Sequence, residues 1–346
     1  MRASVLDGPH KPFRLEERPV PKAGPGEAVV RVRACGAGLT IQHTKAGRAA
    51  AKFPIVIGHE IAGEVTEVGP GAEGLRVGER VTPHFYLTCG RCKWCRLNRE
   101  TLCENLLGHI GRDIDGGYAE YVKLPARNLV PLPDSLPYEE HPAEVAVICD
   151  AVATPYKVVR RARLAPLEDV LVVGAGGGVG IHMVMMARWA GARVIGVDLG
   201  EAKLQAAMEA GAHAVIDASK DDVVGSARRL TGGRGVDVAI SFVGSPKAME
   251  PAFRSLGPGG RLIALAGAAE GPFSLHPRDL LSGEREVLGS RYVTKQELIE
   301  TLALVARGDI WPKVTERVPF ELEAVEEIHR RLEEGSVIGR AVVVFA

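Results

Sequence analysis

The chain has 346 residues, 43 basic and 43 acidic side chains, and a composition that is 46% hydrophobic and 25% charged. That length suits about two domains, each with its own core, and the balanced charge argues against a nucleic-acid or membrane-surface partner. No apolar run reaches the roughly 18 residues of a membrane span, and MRASVLDGPHKPF lacks the basic-then-apolar layout of a secretory leader, so a cytoplasmic enzyme is expected.

In the first part, GEAVVRVRACG, EIAGEVTEVG and GERVTPHFY read as strands separated by Gly- and Pro-rich turns, with YAEYVKLP and NLVPLP as further short strands. EEHPAEVAVICDAVATPYKVVRRA then reads as helical. From about residue 168 the character changes. EDVLVVGAGGGVG is a strand running into glycines, IHMVMMARWAGA a helix and RVIGVD a second strand. KLQAAMEAGA, HAVIDA, VVGSARRLTG, VDVAISFVG, PKAMEPAFRSLG and GRLIALAG continue the alternation of helix and strand. The strands are almost wholly apolar, as in a parallel sheet covered on both faces, which predicts a doubly wound α/β domain. Two helices, TKQELIETLALVARG and ELEAVEEIHRRLEEG, and a last strand, GRAVVVF, follow. That strand needs a partner, and the N-terminal β-rich region is its expected home.

The glycines between the first strand and first helix of the α/β segment are Gly174, Gly176, Gly177, Gly178 and Gly180. Glycine there permits a tight turn and a close backbone approach to a pyrophosphate, which the free N–H groups of the helix start attract. Asp198 ends the next strand, eighteen residues beyond Gly180. A carboxylate at that place accepts hydrogen bonds from the ribose hydroxyls and repels a 2′-phosphate, so the expected cofactor is NAD.

Cys89, Cys92, Cys95 and Cys103 lie within fifteen residues. Spacings of two let consecutive thiolates wrap one ion and the longer arm closes a tetrahedron, leaving no open position. A structural zinc is expected, with an iron–sulfur cluster as the competing occupant. The unpaired Cys35 and Cys149 read as small buried residues.

Together these features resemble the zinc-containing medium-chain alcohol dehydrogenase family. The residues that carry the resemblance run end to end: GHE at 58–60, the cysteine lobe, DGGYAEY at 115–121, TPY at 154–156, the glycine loop and the terminal strand. The resemblance implies a GroES-like catalytic domain over residues 1–150, a Rossmann domain over 151–292, and a return to the catalytic domain over 293–346. It implies reversible hydride transfer between a carbinol carbon and NAD, a small-molecule substrate, and a homodimer or homotetramer. Thr40 and His43 match the family's proton relay, and Phe85 matches a substrate-pocket position. Thr154, Gly174, Gly176, Gly177, Gly178, Val179, Gly180, Asp198, Lys203, Gly244 and Arg340 match positions that meet the cofactor.

The sequence departs from the family at the catalytic metal. Where relatives place a zinc-ligating cysteine this chain has Gly38, and Ile41 replaces the usual acidic residue. The remaining candidate ligands are His59, Glu60 and Asp150, with Cys149 as the alternative to Asp150 if the register shifts by one. A catalytic zinc there is open. Two further readings stand beside alcohol chemistry. One is a zinc-independent reductase of an enoyl-CoA or enone C=C bond, and the other a nucleotide-binding member without catalysis.

Overall fold

In the computed structural model, residues 1–266 and 271–346 are described. They fall into two units, Met1–Ala153 with Val293–Ala346, and Thr154–Tyr292.

The first unit opens with β1 (Arg2–Leu6), β2 (Phe13–Glu17), β3 (Glu27–Ala37), α1 (Leu39–Lys45), β4 (Ile55–Val56), β5 (Ile61–Val68) and β6 (Arg80–Pro83). It continues with β7 (Tyr86–Leu87), α2 (Lys93–Arg96), β8 (Gly108–His109), β9 (Tyr121–Pro125), β10 (Leu129–Pro131) and α3 (Pro142–Ala146). The long strand β3 organises this region. Its Ala28, Val29, Val30, Val32, Ala34 and Cys35 are buried, and β5 and β9 pair with it antiparallel.

The second unit begins within α4 (Ala153–Ala162) and continues with β11 (Asp169–Val173), α5 (Gly180–Trp189), β12 (Arg193–Asp198), α6 (Glu201–Glu209), β13 (Ala214–Asp217) and α7 (Val223–Leu230). β14 (Val236–Ser241), α8 (Pro246–Arg254), β15 (Leu256–Ala264), α9 (Pro277–Leu281) and β16 (Glu286–Gly289) complete it. Its sheet is parallel throughout, in the order β13-β12-β11-β14-β15-β16. Every residue of β11 is buried, as two helix-covered faces require. The chain winds outward from β11 in one direction and then restarts beside it at β14. That reversal opens a crevice at the carboxyl ends of these two strands, the usual ligand position in such sheets.

The return segment adds α10 (Lys295–Ala306), β17 (Val314–Pro319), α11 (Leu322–Glu333) and β18 (Arg340–Val344) to the first unit. Thr294 starts α10 with a capping box, its hydroxyl and the Glu297 carboxylate each taking the other residue's backbone N–H. β18 lies between β3, antiparallel, and β17, parallel, so the terminal apolar strand does pair with the N-terminal β region.

The structure corrects the reading of 139–162 as one helical stretch. It breaks into α3, a 3-10 turn at Val147–Cys149, and α4. The Ala151 N–H is taken by the buried Glu60 carboxylate at 3.1 Å, so a long-range hydrogen bond overrides local helix preference. α9, β16 and β17 were not read from the sequence. They are short and half exposed, and carry little periodicity. The last residue of the strand expected at 260–267, Gly267, lies outside the described residues.

Candidate active site and cofactor loop

The turn after β11 places the nucleotide-binding candidates together. Gly174 takes φ +83°, and α5 begins at Gly180, with Val179 as its N-cap. A β-carbon on Gly180 would lie 1.9 Å from the Gly174 carbonyl oxygen, so only glycine lets the helix start this close to the strand end. Asp198, at the end of β12, accepts the N–H groups of Gly176 and Leu199, each at 2.8 Å. The carboxylate therefore braces the glycine loop from the side where a ribose would lie. Lys203, on α6, packs against Gly176. The buried His182 donates from Nδ1 to the Gly178 carbonyl at 2.7 Å, which ties loop to helix and supplies this histidine's structural role. Gly244 follows β14, across the strand-order reversal, and Thr154 is buried at the start of α4.

The four cysteines converge around α2. Cys92 Sγ lies 3.5 Å from that of Cys95 and 4.0 Å from that of Cys103, and Cys89 Sγ lies 4.0 Å from that of Cys95. Zinc–sulfur bonds of about 2.3 Å arranged tetrahedrally put sulfurs about 3.8 Å apart, so the lobe has the dimensions of a four-thiolate zinc site. Backbone N–H groups of Arg91 and Cys92 hold the Cys89 thiol down at about 6, favouring the thiolate. Burial pushes Cys95 up to about 12, as expected of a sulfur whose charge needs a cation beside it.

His59, Glu60 and Asp150 meet in the interior of the first unit, with ligand atoms within 4.8 Å of one another and all three side chains buried. Asp150, rather than Cys149, faces His59, with Oδ2 3.1 Å from Nε2. The Cys149 thiol donates to the Ala146 carbonyl and Cys35 lies fully buried, so both act as small core groups. Phe85 packs against His59 with ring centroids 4.4 Å apart and the ring planes tilted by 49°, and the Arg112 guanidinium lies 5.8 Å from the Phe85 ring centre.

Glu60 turns toward Arg340. Its Oε2 accepts from Arg340 Nε at 3.0 Å and also meets Nη2, while Oε1 takes the Ala151 N–H. Burial raises the Glu60 carboxyl and Arg340 pulls against that. Burial likewise works against the Arg340 charge, and Glu60 outweighs it. A β-carbon on Gly38 would lie 2.0 Å from Arg340 Nη1 and 2.6 Å from Cζ, so the guanidinium fills the space beside Gly38.

Thr40 and His43 lie three residues apart on α1 and so share one face. The signal that sequence reading missed is the partner of His43. Arg48 Nε donates to His43 Nδ1 at 2.7 Å, and the same guanidinium forks onto Glu333 at 2.6 and 2.7 Å. Burial first, and then the Arg48 charge, lower the His43 pKa. Glu333 also accepts from Gln42, whose carbonyl takes the Nδ1–H of the buried His329, and His329 Nε2 in turn accepts from Tyr118. Glu333 and His329 come from α11, some 290 residues downstream of α1, and no spacing rule links them to it.

Among the described residues no helix is long and apolar enough to cross a membrane. Residues 24–134 match the alcohol dehydrogenase GroES-like domain and residues 178–307 the zinc-binding dehydrogenase family. The chain is 35% identical to an alcohol dehydrogenase of Geobacillus stearothermophilus, over 99% of this chain and 98% of that one. It is 33% identical to an NAD-dependent alcohol dehydrogenase of Sulfurisphaera tokodaii, over 99% of this chain and 100% of that one. Among solved structures it superposes on AibC with a TM-score of 0.89 at 38% identity, covering 100% of this chain and 96% of that one. With a GroES-like unit, a Rossmann sheet and relatives of this closeness along its whole length, the chain belongs to the zinc-containing medium-chain alcohol dehydrogenase family.

Proposed function

We propose that this protein is an NAD(H)-dependent oxidoreductase that interconverts a small-molecule alcohol with its ketone or aldehyde. The observation that carries this reading is the loop from Gly174 to Gly180 with the Asp198 carboxylate beside it. Bound NAD supplies the carbon that accepts or returns the hydride.

The chain's own residues supply the rest. The N–H groups at the start of α5 hold the pyrophosphate, Asp198 takes the ribose hydroxyls, and Thr154, Gly176, Gly177, Gly178, Val179, Lys203 and Gly244 complete the cofactor's surroundings. The Thr40 hydroxyl takes the proton of the substrate hydroxyl and passes it on toward His43, whose surroundings keep it neutral and whose Nδ1 lone pair takes the proton as the Arg48 N–H lets go. Phe85 gives the substrate an apolar wall. The cysteine lobe fits a zinc that holds its fold and takes no part in the reaction. We place the protein in the cytoplasm as a homodimer or homotetramer.

Titration with NAD and NADP, followed by ligand-induced stabilisation, tests the cofactor assignment. NAD should bind at least tenfold more tightly in wild type, and Asp198→Ala should narrow that gap. Equal affinities in wild type would overturn it.

A further inference from the structure

We infer that the chain holds a single zinc, in the cysteine lobe, and that its His59–Asp150 corner is built to work without one, because the Arg340 guanidinium fills the space beside Gly38 and engages Glu60. A catalytic zinc takes three protein ligands and keeps one open position. Here the donors run short one after another. Gly38 offers no side chain, and the volume a side chain would enter is held by Arg340 Nη1, Nη2 and Cζ, all within 2.6 Å of the β-carbon position. Glu60 has both oxygens engaged, Oε1 with the Ala151 N–H and Oε2 with the guanidinium. Arg340 is 5% exposed and Glu60 0%, so the pair has no solvent into which to swing apart.

That leaves His59 Nε2 and Asp150 Oδ2, 3.1 Å apart and within hydrogen-bond distance of each other. Two donors are one short of a catalytic set. A dication entering this corner would also face a fixed guanidinium with little water to screen it. The corner already contains a cation, covalently part of the chain and paired with a carboxylate. The cysteine lobe shows the opposite arrangement, with four sulfurs converging on one point.

The zinc count does not depend on the proposed activity, so failure of one reading is distinguishable from failure of the other. Native mass spectrometry and elemental analysis would be run on full-length protein refilled with ZnCl2 and then desalted. One zinc per chain is expected in wild type, in His59→Ala and in Asp150→Asn. Cys92→Ser/Cys103→Ser should fall below one. Two zincs in wild type, dropping to one in His59→Ala or Asp150→Asn, would overturn the inference. If either single variant fails to fold, the wild-type count and the other variant still decide it. One zinc in a protein that turns over no alcohol or carbonyl would uphold the metal inference and remove the alcohol reading.

Discussion

At the scale of single residues, two histidines of the first unit are set by their hydrogen-bond partners, His43 by nearby Arg48 and His329 by Gln42 and Tyr118 far away in sequence. His43 receives the Arg48 Nε–H on Nδ1, so its proton sits on Nε2 in the neutral ring. The positive charge beside it disfavours the imidazolium. Arg48→Met should therefore raise the His43 pKa, and the acid limb of the kcat/KM profile for alcohol oxidation should move to higher pH. An unchanged profile would remove His43 from the relay. Thr40→Val should lower kcat by about 100-fold, the typical contribution of a positioned proton-transfer group, with little change in NAD affinity. His329 makes a prediction about stability. Burial drives its pKa from 6.5 to about 3, so in acid the unfolded chain takes up a proton that the folded chain refuses. Its contribution is therefore unfavourable below pH about 6.5 and grows as pH falls toward about 3. Denaturant melts of His329→Phe should show a shallower loss of stability across that window. At neutral pH the variant should lose roughly 1–3 kcal/mol, because Tyr118 and Gln42 lose their buried partner.

At the scale of elements, the glycine loop was fully legible. An apolar strand, spaced glycines, a helix and a terminal aspartate are dictated by local geometry, and the structure reproduces that order from β11 through Asp198. Gly180→Ala should weaken NAD binding, since a β-carbon would collide with the Gly174 carbonyl. Relieving that overlap costs on the order of 1–3 kcal/mol, equivalent to roughly 5- to 150-fold in affinity if all of it falls on the bound state, measurable by the same titration. The four-cysteine spacing was legible for a similar reason, because one short segment carries every ligand. The segment around Asp150 was not. Its helical composition is overruled by the Glu60–Ala151 bond, and the choice between Cys149 and Asp150 turns on a 3-10 turn that sequence periodicity does not reveal. Arg340 shows the same limit. Its pairing with Glu60 joins residues 280 positions apart, and only the folded sheet brings β18 beside β3.

At the scale of the whole molecule, the first unit is a discontinuous assembly whose sheet is completed by the end of the chain. β18 has strands on both sides, and Ala341, Val342 and Val343 are fully buried. Deleting residues 340–346 should leave the first unit unable to fold, seen as loss of soluble protein, whereas Glu334→Ala on the exposed end of α11 should be neutral. The architecture and the family relationships then converge on hydride chemistry with NAD. The most direct measurement is transfer of deuterium from a secondary alcohol labelled at the carbinol carbon to NAD, read by NMR of the reduced cofactor. Deuterium at the nicotinamide C4, with the matching ketone formed in equal amount, is the predicted result. Absence of transfer from a broad panel of labelled primary and secondary alcohols, in protein shown to bind NAD, would contradict it.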